Sequence, residues 1–419
     1  MSRQPVPPST ENPERQKADD LLAVLMESPE KFSSADIDAV LNLNRSELDD
    51  PFCTDEPIDT RDLKSLMLRI FDQNENFKFD NAYTGYLGTL NNISQARRNK
   101  RFFKKVRSGK KVRRIVAEGD SWFEHPVVRD VIDWVTKLGK DDFAIYSIAR
   151  GGDFLTNILE EREYITELSL LRPEVFLLSA GGIELVNGRR VALMIDKESQ
   201  YVTKEFKQEH PLVRDVLIRG DLNQEQEFML EHGMSFLTKE YFVMLGVLEL
   251  SYKYLIKQLR KKFTDLKIIT HGYDYTVPSF QRGPGIIKYL INLIGGNGHH
   301  FKEPMMIREI NDNIDQRAIS FAMIHLFNEM VINIVRDPIF GRGVTHIDCR
   351  GYARDKDWHD ELHLKPRSIR RVAETYMEAI TSNDPEKHVF LVRAVAAEHG
   401  EDVTLANTRY TSKTEGQRD

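Results

Sequence analysis

The stretch "VRRIVAEGDSWFEH", residues 112–125, carries a short apolar run that stops at Gly-Asp-Ser, with a tryptophan, a glutamate and a histidine directly behind. A run of that length ended by glycine reads as a buried strand. Four further segments share the form: "DFAIYSIAR" (142–150), "PEVFLLSAGG" (173–182), "LKIITHGYDY" (266–275) and "VTHIDCRG" (344–351). Helical segments separate them, among them "VVRDVIDWVTKLG" and "ISFAMIHLFNEMVINIVRD". In the second, Met323, Phe327, Met330 and Ile334 recur at the three- and four-residue steps of one helix face. Strands alternating with helices build βαβ units, hence a parallel sheet covered on both faces, and ligands bind outside the carboxyl ends of its strands. Ser121, Gly152, Gly182, Asp274 and Asp348 all stand at or just past such ends. The class expected is α/β.

A chain of 419 residues exceeds one core of average size. The expected layout is a disordered leader over 1–18, a helical N-terminal domain with a basic linker over 19–112, and an α/β domain over 113–383. Insertions at 186–263 and 278–310 interrupt that domain, and a C-terminal helix with a disordered tail fills 384–419. With 41% hydrophobic and 30% charged residues the composition is that of an ordinary globular protein, and a net charge of −6 excludes a general attraction to nucleic acid or anionic membrane. Cys53 and Cys349, the two cysteines, have no metal-like spacing and suggest a reducing compartment. The N-terminus is polar and unlike a signal peptide, and the longest apolar stretch, 241–256, is broken by Glu249 and Lys253. A cytoplasmic protein without an integral membrane segment is expected.

Residues 97–114, "RRNKRFFKKVRSGKKVRR", hold eleven basic and no acidic side chains. They read first as a solvated helix and turn joining two units, and second as a patch for an anionic partner. The apolar island at 285–294 reads as a helix on the sheet, or as a mobile lid or membrane-touching hairpin. His299 and His300 are adjacent, so their rings point in different directions and do not form a metal pair by themselves.

The chemistry concentrates in "DWHDELHLKP", residues 357–366, where Asp360 and His363 are three apart. A carboxylate so placed can orient an imidazole and stabilise its charged form, leaving the other ring nitrogen to take a proton from a serine. With Ser121 the order is Ser, Asp, His, and the G-x-S-x-G elbow of α/β-hydrolases is absent around Ser121. "HDELH" also echoes the zinc motif His-Glu-x-x-His through His359 and His363. Aspartate replaces the glutamate there, Pro366 limits a helix just downstream, and no third ligand is evident, so no metal is expected.

These residues resemble the SGNH (or GDSL) hydrolases. "EGDSWF" resembles the first block of that family, "ARGGDFL" the second and "DELH" the last, while "HGYDYTVPS", "FNEM" and a tryptophan before the final block are similar to a bacterial subgroup. The resemblance covers roughly 113–185 and 266–370. It implies a flavodoxin-like, three-layer α/β/α fold, Ser121 as nucleophile, Asp360 and His363 as its partners, and backbone N–H groups of Ser121 and Gly152 holding the oxyanion. The third block, "SAGGIEL", departs: Ile183 stands in the place of the family's asparagine and Glu184 in that of its aspartate. Isoleucine donates no hydrogen bond, so the two N–H groups act alone or Asn187 or Asn157 substitutes; Glu184 is expected to point away. The implied activity is hydrolysis of a small-molecule or lipid ester through an acyl-enzyme, without cofactor or metal, the apolar island tilting the expectation toward an acyl chain. The alternative is a degenerate member that binds a partner through its helical unit and basic stretch.

Overall fold

The computed structural model describes residues 86–279 apart from 126, 127 and 187, residues 300–393, and part of 20–39. Strands β1 (Arg113–Gly119), β2 (Phe143–Ser147), β3 (Val175–Ser179), β4 (Lys267–His271), β5 (Val344–Asp348) and β6 (Val389–Leu391) form one sheet in the order β2-β1-β3-β4-β5-β6. Every pairing is parallel. The order is flavodoxin-like with one strand added, and the chain reverses direction across the sheet at β1, the place where open α/β sheets hold ligands. All five strands expected from the sequence are present, nearly continuous apolar runs buried on both sides.

Helices α1 (Tyr86–Arg107), α2 (Val131–Leu138), α3 (Leu155–Glu161), α4 (Glu163–Leu171), α5 (Gly182–Val186), α6 (Gln224–Met234), α7 (Lys239–Lys262), α8 (Asn313–Arg336) and α9 (Pro366–Thr381) complete the layers. α2 packs on α9, while α7 and α6 pack on α8. By length and composition α8 could cross a membrane, but its apolar window is 94% buried, which makes it a core helix. Asp130 caps α2 by accepting the Asp133 N–H at 2.9 Å, and Asp312 caps α8.

The basic stretch is split by this architecture. Most of it lies in α1, which covers the edge strand β2. Asn99 exchanges hydrogen bonds with both backbone groups of Ser147, Lys105 donates to Phe143 O at 2.5 Å, and the Phe102 ring meets Tyr146 edge-on at 5.5 Å. Arg98 turns inward and is buried among Glu124 (2.6 Å), Asp130 (2.5 Å) and Asp133 (3.0 Å).

Residues 186–238, inside the first expected insertion, contain several short helices, with Thr203, His210 and Asn223 as side-chain caps. One segment differs from expectation. The helix expected from 384 does not include 389–391: that β-branched and aromatic run instead pairs with the edge of β5, His346 against Val389. The leader, most of the helical N-terminal domain, the apolar island at 285–294, His299 and the chain beyond 393 lie outside the described residues.

Candidate active site

β1 delivers Gly119, Asp120 and Ser121 to the carboxyl edge of the sheet. Gly119 lies opposite Ser179 of β3 with φ of 148°, and a Cβ on it would sit 2.2 Å from Ser179 O, so a side chain does not fit. Asp120 is locked in place. Its carboxylate accepts from the Ser179 hydroxyl at 2.7 Å, the Tyr273 hydroxyl at 2.6 Å and the Trp122 N–H at 3.0 Å. Tyr273 is held in turn by Asn328 of the "FNEM" segment, which accepts its N–H at 3.2 Å and donates to its carbonyl at 3.0 Å. Arg98 secures the far side of the turn by donating to Phe123 O at 2.7 Å.

Asp360 and His363 sit on a tight turn before α9, closed by a bridge between Trp358 and Leu364 and by the His359 N–H donating to His363 O at 2.7 Å. Because 359–363 is a turn, His359 and His363 do not share a helix face, and the geometry of the zinc motif is not formed. Pro366 opens α9, the position that its fixed φ and missing N–H suit.

Ser121 and His363, 242 residues apart, meet here: Ser121 Oγ lies 2.7 Å from His363 Nε2. His363 Nδ1 lies 3.0 and 3.1 Å from the two Asp360 oxygens. Asp360 also accepts the Leu362 and His363 N–H groups, both at 2.8 Å. Burial would raise the Asp360 pKa, but the His363 charge and these bonds hold it well below the usual carboxylate range. An ionised Asp360 fixes the proton of neutral His363 on Nδ1, so Nε2 accepts from the Ser121 hydroxyl. Burial opposes the His363 imidazolium, yet Asp360 outweighs it and Asp120 adds to the effect, so its pKa lies above the ordinary value.

His125, given no role from the sequence, stands edge-on to His363 with ring centroids 4.6 Å apart. Its Nδ1 accepts the Val128 N–H at 2.9 Å, and burial, reinforced by His363, pulls its pKa down to about 3, so it stays neutral. His125, Asp360 and His363 bring ligand-type atoms within 4.8 Å of one another. Both ring nitrogens of His363 are already engaged, by Asp360 and by Ser121, so the donor set fits proton transfer better than metal binding. Glu361, between the paired residues, was also missed. Its buried carboxylate accepts four backbone N–H groups, from Ser279 (2.9 Å), His300 (2.6 Å), Phe301 (3.0 Å) and Lys302 (3.0 Å). No local motif marks such a clamp, because its donors lie 59 to 82 positions away.

Among the described residues, neither the Ser121 nor the Gly152 N–H has an acceptor within the protein. Gly152 adopts φ of 78°, a left-handed turn after β2 that glycine takes without strain. Ile183, at the start of α5, lines a small cleft beside Ser121. Glu184 points away as expected, its Oε1 accepting the Leu155 N–H at 2.6 Å and tying α5 to the start of α3. Burial pushes its pKa up to about 7 against the pull of Arg190. The Asn157 amide donates to Asp153 at 3.2 Å, and Asn187 lies outside the described residues. Asp274 and Asp348 are engaged in structural contacts, Asp274 with the Gly351, Ala353 and Tyr275 N–H groups and Asp348 with Arg350.

No family model and no curated protein matches the chain. Among solved structures, it is similar to a protein of Parabacteroides merdae ATCC 43184 described as a GDSL-like lipase, at 12% identity and a TM-score of 0.30, over 64% of this chain and 96% of that one. It is also similar to the acetyl xylan esterase AlAXEase, at 14% identity and a TM-score of 0.27, over 64% of this chain and 99% of that one.

Proposed function

We propose that the protein is a serine hydrolase acting on ester bonds. The observation carrying this reading is the 2.7 Å contact between Ser121 Oγ and His363 Nε2, backed by Asp360 on the other ring nitrogen. In this mechanism Ser121 attacks the ester carbonyl while His363 takes its proton, and the imidazolium is stabilised by Asp360. The N–H groups of Ser121 and Gly152 receive the developing oxyanion. His363 returns the proton to the leaving alcohol, then water, deprotonated by the same imidazole, cleaves the acyl-enzyme and restores the serine. These steps use side chains and backbone alone. A small fluorophosphonate probe should label the folded protein at Ser121, and Ser121→Ala should lose both label and turnover. Labelling elsewhere, or none, would refute the proposal.

Ile183 favours a second reading, in which the same fold binds without cutting, since the position supplies no oxyanion donor. Seven cations of the basic stretch (Arg97, Lys100, Arg101, Lys104, Arg107, Lys110 and Lys111) stay exposed for an anionic partner. That reading expects no label, and an interaction that weakens with salt.

A further inference from the structure

With isoleucine at 183, the two backbone N–H groups assigned to the oxyanion act without a side-chain donor beside them, so their placement weighs heavily on the rate. The Ser121 N–H directly follows β1, in the turn locked by Asp120. The Gly152 N–H sits instead in the loop 148–154 between β2 and α3. The near end of that loop is fastened to β1: the Ile148 N–H donates to Ala117 O at 2.9 Å and the Arg150 N–H to Gly119 O at 2.8 Å. The Asp153 N–H then closes a turn around Gly151 and Gly152 by donating to Arg150 O at 3.1 Å.

The far end is held from other elements. Phe154 stands at the N-cap of α3 and offers no side-chain cap, so the first N–H of the helix needs an acceptor from elsewhere. Glu184 supplies it from α5, its Oε1 lying 2.6 Å from the Leu155 nitrogen. Leu155, Glu184 and Arg190 are all fully buried. From the helix at Gly188–Met194, Arg190 lays its guanidinium over the Phe154 ring, 4.3 Å from the ring centre. Burial opposes the Arg190 charge and Glu184 supports it. The two side chains thus grip consecutive residues, Phe154 and Leu155, where the loop ends. We infer that Glu184, backed by Arg190, is a positioning residue that sets the Gly152 N–H against the developing oxyanion. This inference rests on the hydrolase reading and deepens it. The stretch that has no donor at Ile183 still serves the oxyanion, through the residue that follows.

Kinetics on the full chain test the role, with 4-nitrophenyl acetate as substrate and a trifluoromethyl ketone as inhibitor. Ser121 Oγ adds to the ketone carbon, His363 takes the hydroxyl proton, and the former carbonyl oxygen carries the negative charge that the Gly152 N–H meets. Glu184→Ala should lower kcat by about ten- to a hundredfold, since a misplacement of about 1 Å costs roughly 10²-fold. KM should stay within about twofold, because the interaction is made only in the transition state. The ketone should lose affinity by the same factor as kcat, which a loss of stability alone would not produce. Glu184→Gln should recover most of the activity, because Oε1 alone accepts from Leu155 and the amide keeps one oxygen there. Arg190→Met should move kcat and ketone affinity the same way by less, and it decides the matter if the alanine variant does not fold. A parental kcat in folded Glu184→Ala (or in Arg190→Met where the former does not fold), a change confined to KM, or a glutamine variant no better than alanine would overturn the positioning role while labelling at Ser121 left the hydrolase reading standing. A folded parent chain that neither takes the fluorophosphonate nor cleaves the ester would overturn both.

Discussion

At the level of single side chains, the geometry makes a claim about which proton moves. Asp360 accepts from His363 Nδ1 and from two backbone N–H groups, so it is held ionised and immobile. Its charge raises the His363 pKa, and the groups facing that ring are Asp360, Asp120, neutral His125 and His359. Only the neutral imidazole can take the serine proton. Activity should therefore rise with pH through an apparent pKa above the 6.5 of free histidine and then level off. Asp360→Asn removes the charge and permits the wrong tautomer. It should lower kcat by about four orders of magnitude, and an NMR titration of the His363 ring should show its pKa falling. An unchanged His363 pKa in that variant would mean that Asp360 does not supply the field assigned to it.

At the level of elements, the site is a meeting of loops that the sheet brings to one edge, and Glu361 joins two of them. It binds the turn carrying Asp360 and His363 to Ser279 and to the backbone entering the helix at Lys302–Ile307. Glu361→Gln keeps the shape but turns an amide N–H toward N–H donors that need an acceptor. The expected result is a stability loss of about 1–3 kcal/mol, read as a lower urea midpoint, together with a reduced kcat as His363 loses its register with Ser121. A variant as stable and as active as the parent would show that the four hydrogen bonds leave the turn unaffected. The contrast between Glu361 and its neighbours shows what could be read in advance. Ser121, Asp360 and His363 were legible because a short apolar run ending in Gly-Asp-Ser, and an acid three residues before a histidine, are local patterns. The five central strands were legible for the same reason. His125 and Glu361 were not, since their partners are distant in the chain and neither residue type has a fixed spacing to them. β6 escaped because three residues are too few to show a period, and its strand state comes from the open edge of β5.

Across the whole molecule, buried ionisable groups set a stability profile that differs from the activity profile. Burial pushes several carboxyls up, Asp274 and Glu184 to about 7 and Glu118 well above its ordinary value. Such groups are protonated in the fold at a pH where the unfolded chain has ionised them, so their stabilisation is complete in acid and is lost as pH rises through the folded values. His271, His325, His346 and His210 behave oppositely: burial lowers them to about 3 or 4, and the stability they lose appears as pH falls below the unfolded value of 6.5. Between about pH 4.5 and 6.5 the two sets oppose each other. Above that window these four histidines are neutral in both states, so the raised carboxyls lower stability, and His363, its pKa also raised, adds to the decline. Below it, Asp360, Glu329 and Asp348, all held low by cationic neighbours, lose their stabilisation as they protonate. Glu184→Gln is neutral at every pH, and the histidine contributions cancel when it is compared with the parent. Between about pH 5.5 and pH 8.5 the urea midpoint of the parent should therefore fall relative to that of Glu184→Gln, while kcat/KM rises across the same interval as His363 becomes neutral. A parent midpoint that held level with the variant's, or climbed above it, would mean that the carboxyl at 184 is not held protonated by the fold, and the structural reading of Glu184 would fail with it.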